Sequence, residues 1–149
     1  MKNELTVMNS LLSEMQSNLN SYLDSELEPL SSESMMIEFP DVDQMPKSTM
    51  IYIQPDYAEY EALATTNDQA SFRMSVFVLC KRDKRENLTT KFFGYFNGVY
   101  ALLRSNISLS GAVDFTDIVD VNFYPAVEGN LNVKGAEISV SCRYTKDFE

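Results

Sequence analysis

Leu5, Met8, Leu12, Met15, Leu19, Tyr22 and Leu23 recur at intervals of three and four, with Ser, Asn, Gln and Glu between them. That spacing predicts an amphipathic helix over about residues 3–27, ended near Pro29. Because the repeat stops at the proline, a helix laid across a sheet fits it better than a coiled coil. Residues 29–48 form a connector whose run Met35-Met36-Ile37-Glu38-Phe39 is a candidate first strand. Residues 49–53 and 70–81 are apolar enough to be buried strands. The polar stretch 54–69 between them reads as the long arm of a hairpin, with Thr65, Thr66, Asn67 and Asp68 near its tip. Phe72, Met74, Val76, Val78 and Cys80 share one face of the second strand while Phe77 and Leu79 sit on the other, so both faces should be covered towards its end.

A second helix is expected over about 84–106, opened by a capping-box-like Asp83 and Glu86 and ended by Asn106. Leu88, Phe92, Tyr95, Phe96, Val99 and Leu103 make a broad apolar face, with Phe93 and Tyr100 at its edge. Gly94, Gly98, Ala101 and Ser105 fall opposite. Each glycine in a helix interior costs about 1 kcal/mol relative to Ala, so a small flat stripe implies close approach of another element. The first helix and a neighbouring subunit are both candidates for that cover.

The chain closes on a hairpin over 112–145. In its first strand Phe115, Val119, Val121 and Phe123 alternate with Thr116, Ile118, Asp120 and Asn122. In its second Ile138, Val140, Cys142 and Tyr144 alternate with Glu137, Ser139, Ser141 and Arg143. Pro125, Gly129 and Gly135 lie in the connection and mark a long tip. These elements make an α+β fold: a mostly antiparallel four- to five-stranded sheet with two amphipathic helices packed on one face. With 149 residues, a single domain over 1–149 is expected.

Charge and chemistry narrow the function. A formal net charge of −10 argues against stable nucleic-acid binding, which needs clustered Lys and Arg. It suits an acidic soluble protein, or a surface past which DNA slides. The basic cluster at 81–85 reads as a solvated turn or a phosphate site. Cys80 and Cys142 fall on apolar strand faces, as free buried thiols of a reducing compartment or as one cross-strand disulfide. The N-terminal stretch has neither a signal-peptide nor a membrane-span pattern, so a soluble protein made in the cytoplasm, with no membrane partner, is expected.

The chain has no histidine, no Gly-rich phosphate loop, no CxxC pair and no GxSxG elbow. Asp41-Val42-Asp43 lacks the further oxygen ligands and glycine turn of a calcium loop. No catalytic residue, cofactor or metal is therefore expected, and the chain is not expected to be an enzyme. What it offers is surface. The arm carries Asp56, Tyr57, Tyr60 and Glu61, with Glu59 and Asp68. It is a partner-binding element or a solvated hairpin end. Pro125, Glu128 and Asn130 mark the tip of the closing hairpin as a second candidate.

The order helix, long hairpin, helix, closing hairpin, with the ending AEISVSCRYTKDFE, resembles the bacteriophage tail-terminator or tail-completion (minor tail) proteins, including prophage ones. The polar connector at 29–48 departs from that pattern. The resemblance implies a hexameric ring in the virion tail, assembled in the host cytoplasm. Such a ring caps the tail tube and offers a surface to the head-tail connector. Gly94, Gly98 and Ala101 would then be subunit contacts, and the arm and tip would face the lumen or the tube. The alternative is a non-enzymatic α+β binding module or accessory subunit with a sheet-and-helix surface for a ligand or partner.

Overall fold

The computed structural model describes residues 2–37, 45–82, 87–105, 108–109 and 111–148. Helix α1 spans Glu4–Asn18 and helix α2 spans Leu88–Ser105. The strands are β1 (Met35–Met36), β2 (Thr49–Ala64), β3 (Asn67–Lys81), β4 (Phe115–Tyr124) and β5 (Val133–Asp147). They form one sheet in the order β1-β2-β3-β5-β4. β1 pairs with β2 in parallel and every other pairing is antiparallel, so the fold is α+β on a mixed, mostly antiparallel sheet.

Both helices pack on one face of that sheet. Val7, Leu11, Met15 and Leu19 meet Phe72, Met74, Val76 and Val78 of β3, Ile138 and Val140 of β5, and the buried face of α2. Asn3 caps α1, its side-chain oxygen accepting the Thr6 N–H at 3.0 Å. The helix is turned relative to the expected stripe: Val7 and Leu11 are buried, Leu12 is half-buried and Leu5 is 57% exposed. The doublets Val7-Met8 and Leu11-Leu12 contain two overlapping stripes, and packing against the sheet selects one.

The first helix is also shorter than 3–27. After Asn18 the backbone tightens into a 3-10 turn over Leu19–Tyr22 and becomes extended at Leu23. Asn20 explains the turn, because its side-chain amide donates to the Leu30 carbonyl at 2.9 Å and accepts the Leu30 N–H at 2.8 Å. Residues 23–30 therefore double back instead of continuing the helix. At α2, Asn87 accepts the Thr90 N–H at 3.2 Å. The expected cap at Asp83 and Glu86, the helix end at Asn106, part of the first strand (Glu38, Phe39) and the Asp41–Asp43 loop lie outside the described residues.

A second, smaller cluster sits on the opposite face of the sheet. Met50 and Tyr52 of β2, Leu79 of β3 and Val133 of β5 pack with Met45 and Val127. Burial on both faces at that end accounts for the apolar pattern of residues 76–80.

The alternation expected in the first strand of the closing hairpin breaks at a β-bulge. Ile118 pairs with Val140 and Asp120 with Ser139, leaving Val119 as the extra residue. Thr116, Ile118, Val121 and Phe123 then stand opposite the inward residues Cys142, Val140, Ile138 and Ala136. Phe115 and Val119 do not face the core and are 42% and 43% exposed. One extra residue reverses the phase of everything before it.

Candidate interaction surfaces

The small-residue stripe of α2 is covered from within the chain, by the end of the segment expected as the first helix, which is not helical there. Residues 22–30, the strap that Asn20 turns back, lie along it. A Cβ built at Gly94 would stand 2.9 Å from Leu27 Cδ1. One built at Gly98 would collide with Leu23 Cδ2 and lie 3.4 Å from the Tyr22 carbonyl oxygen. Gly98 is buried and Gly94 and Ala101 are half-buried. At the edge of the strap the Tyr95 hydroxyl donates to the Glu28 carbonyl at 2.9 Å. With Leu23 and Leu27 in place, the floor of the stripe at Gly94 and Gly98 is not available to another subunit. Leu23 stands in the helical repeat read from the sequence, and with Leu27 four residues on it forms the apolar pair that seats the strap.

The arm is a three-stranded extension. β2 and β3 pair to Ala64 and Asn67, and β5 follows β3 as far as Asp147 opposite Asn67. Asp56 is the extra residue of a bulge between Pro55 and Tyr57. Tyr57, Tyr60 and Leu63 are 48%, 47% and 55% exposed, and Glu59 and Glu61 are exposed as well. Arg73 lies over the Tyr57 ring, 5.0 Å from its centroid. The Tyr60 hydroxyl donates to Glu4, and Lys146 Nζ donates to the same carboxylate at 2.8 Å. Burial raises the Tyr60 phenol, and the Glu4 carboxylate raises it further.

The tip of the closing hairpin does not project as a long loop. Val127 and Asn130 form an isolated bridge, with Glu128 at φ 51° and Gly129 at φ 77° between them. Two central residues at positive φ make a tight turn of the I′ kind. Val127 folds back onto the outer cluster, and a Cβ at Gly135 would lie 3.0 Å from Val127 Cγ2 and 2.7 Å from Leu79 Cδ2. Pro125 and Glu128 are exposed and Asn130 is half-buried.

One surface was missed altogether. Where α2 meets the end of β4, the Phe123 ring lies 5.1 Å from Phe96, 5.5 Å from Phe93 and 6.4 Å from Phe92 between centroids. Tyr100 continues the row 6.1 Å from Phe96. Phe123, Phe93 and Tyr100 are 50%, 39% and 37% exposed, so the cluster is half core and half surface. Two aromatics at the edge of an already sufficient apolar helix face were the available sign of it.

The described residues assemble no reactive constellation. No group of three or more His, Cys, Asp or Glu is placed to hold a metal among them. Cys80 and Cys142 are buried and not disulfide-bonded. Cys142 pairs with Phe72 of β3, so about 26 Å of strand separates it from Cys80, far beyond the ~7 Å limit for a disulfide. No helix is long and apolar enough to cross a membrane among the described residues.

No protein-family model and no curated protein matches the chain. Its fold is similar to the sheath/tube terminator of an extracellular contractile injection system, PVC, in the extended state. That match has 11% identity and a TM-score of 0.49, and covers 99% of this chain but 58% of the terminator. The chain thus spans under two thirds of the terminator's length. It is also similar to a chain in the virion of a native gene transfer agent particle, with 13% identity, a TM-score of 0.45 and 95% of each chain covered. At such identities and TM-scores neither likeness bears on function.

Proposed function

We propose that this chain is a non-enzymatic structural protein of a phage-type tail, working as one domain. It assembles as a hexameric ring that caps the tail tube and presents a surface to the head-tail connector. The observation that carries the proposal is the aromatic corner of Phe93, Tyr100 and Phe123, left uncovered beside an edge strand. Aromatic side chains are enriched at the centres of interaction surfaces. The element order that resembles tail-completion proteins supplies the context, and the net charge of −10 suits a ring through which DNA slides without sticking.

Among the described residues, the strand edges of the sheet that no other strand pairs with are guarded. β2 carries Pro55, a bulge and three carboxylates along its arm, and β4 carries a bulge with Asp117 and Asp120. Such features discourage uncontrolled strand-to-strand pairing, and they favour assembly through side-chain surfaces.

Light scattering over a concentration series, with and without tail tubes, tests the proposal. A Phe123→Asp variant that keeps its circular dichroism but no longer associates with itself or with tubes is the expected result. A wild-type chain that stays monomeric and ignores tubes overturns it.

The binding-module reading draws on the outer sheet face. There Arg73 and Arg143 stand over Tyr57 and Phe115 without an ion-pair partner among the described residues. Under that reading the wild type is monomeric, and Arg143→Ala abolishes partner capture.

A further inference from the structure

Two exposed surfaces lie at diagonally opposite ends of the sheet. Through the register Phe123 stands beside Ala136, Ala136 beside Val78 and Val78 beside Ile51. Tyr60 lies nine residues further along β2 than Ile51, about 30 Å at 3.3 Å per residue, and three strands across from β4, another ~14 Å. The arm of a chain cannot touch the aromatic corner of the same chain.

The two surfaces differ in charge in a complementary way. Residues 54–64, along the outer side of the arm, contain Asp56, Glu59 and Glu61 and no cation; Arg73 and Lys146 of the neighbouring strands stand over Tyr57 and Tyr60. Helix α2 contains Lys91 and Arg104 and no carboxylate. Lys91 turns inward to Ser48 at 3.2 Å, whereas Arg104 is exposed one turn beyond Tyr100. In a chain of net charge −10, a helix free of acids is a place where a second copy can approach without like-charge repulsion. The apolar groups match too, with Tyr57, Tyr60 and Leu63 on one side and Phe93, Tyr100 and Phe123 on the other.

We propose that the β2 arm of one copy of this chain docks against the α2–β4 aromatic corner of the next, with Glu59 and Glu61 facing Arg104. This rests on the ring assembly proposed above and names its contact. Among the described residues β1 reaches only Ile51 and Tyr52, and no described strand pairs with the outer edge of the arm beyond them. An edge-on approach lets side chains of both its faces straddle the corner. Because the two patches are different, the contact is heterologous: each copy gives an arm and receives one, which closes a ring or extends a filament.

The contact is small. Three aromatic rings of ~200 Å² each, half or less exposed, leave roughly 250 Å² at the corner. A stable interface buries about 800 Å² per partner. Association of free chains is therefore weak and steeply concentration-dependent, and the charges set its specificity.

Two charge-reversed variants test the contact: Glu59→Lys with Glu61→Lys, and Arg104→Glu. All three residues are exposed, so thermal unfolding should confirm that both variants fold. In sedimentation over a concentration series each variant alone should associate about tenfold more weakly than wild type. An equimolar mixture should recover wild-type association, since in an alternating ring every arm then meets a corner of opposite charge.

If wild type associates and the variants associate equally well, or the mixture fails to recover, this contact is wrong while ring assembly stands. If wild type is monomeric throughout and does not assemble on tail tubes, ring assembly and this contact fall together.

Discussion

Lys146 Nζ donates to Glu4 Oε1 at 2.8 Å, closing the end of the last strand onto the first turn of the first helix. Their side chains are 29% and 22% exposed, so the pair is partly shielded from solvent. The Tyr60 hydroxyl donates to the same carboxylate and Lys146 lies 4.8 Å from the centre of the Tyr60 ring. Three distant stretches of chain meet at one acid.

Burial alone would raise the Glu4 carboxyl, but hydrogen bonds from Lys146, Tyr60 and the helix backbone more than offset it, leaving it below its ordinary value. A carboxyl depressed in the folded state contributes stability above its unfolded pKa, and that contribution is lost as pH falls through the folded value. Glu4→Gln should therefore be less stable than wild type at pH 7, by about 1 kcal/mol after solvent screening. The gap should close on acidification below the ordinary carboxylate range. Chemical denaturation of both proteins from pH 7 to pH 3 measures it, and a gap constant with pH would rule this out.

Gly98 sits beneath Leu23 and the Tyr22 carbonyl. Gly98→Glu should destabilise the isolated chain by at least about 3 kcal/mol, since it overpacks the strap and buries a charge. Gly94→Ala meets only the ends of the Leu27 side chain and should cost far less. If Gly98→Glu unfolds at the wild-type temperature, the strap is not seated on the helix.

Burial pushes the Cys142 thiol up to about 12. Its Sγ also lies 3.4 Å from the Phe72 carbonyl oxygen, as a donor. At pH 8 the native protein should leave Cys142 unmodified by iodoacetamide, with labelling only at the rate of unfolding. Mass mapping of the modified cysteine after partial labelling reads this directly, and fast labelling at Cys142 would contradict it.

Glu128 occupies the first of two positive-φ positions at the turn between Val127 and Asn130. Asn tolerates that backbone better than Glu. Glu128→Asn should stabilise the protein by about 0.5 kcal/mol, raising Tm by roughly 1–2 °C. A lowered melting temperature would mean that the turn is not held in this conformation.

Much of this architecture was legible along the chain. The long hairpin with its tip near Thr65, the second helix, and the double-sided burial at Phe77 and Leu79 all follow from side-chain periodicity and turn residues. Those signals are local: a strand buried on one face must alternate, and a helix on a sheet must present a stripe. The lack of histidine and of recognisable catalytic spacing was equally plain from the residues.

What the residues could not decide was which of several equally good local solutions the whole molecule would take. Val7-Met8 and Leu11-Leu12 allow two helix faces, and the sheet chose one. Asn20 turns the chain only because Leu30 comes back to meet it. The bulge at Val119, which sends Phe115 outward, exists only in the pairing of β4 with β5. The cover over Gly94 and Gly98, and the corner that joins Phe123 to α2, are contacts between residues far apart in sequence. Periodicity determines which side of an element is apolar. Only the tertiary structure determines what lies against that side, and so which apolar groups are left for a partner.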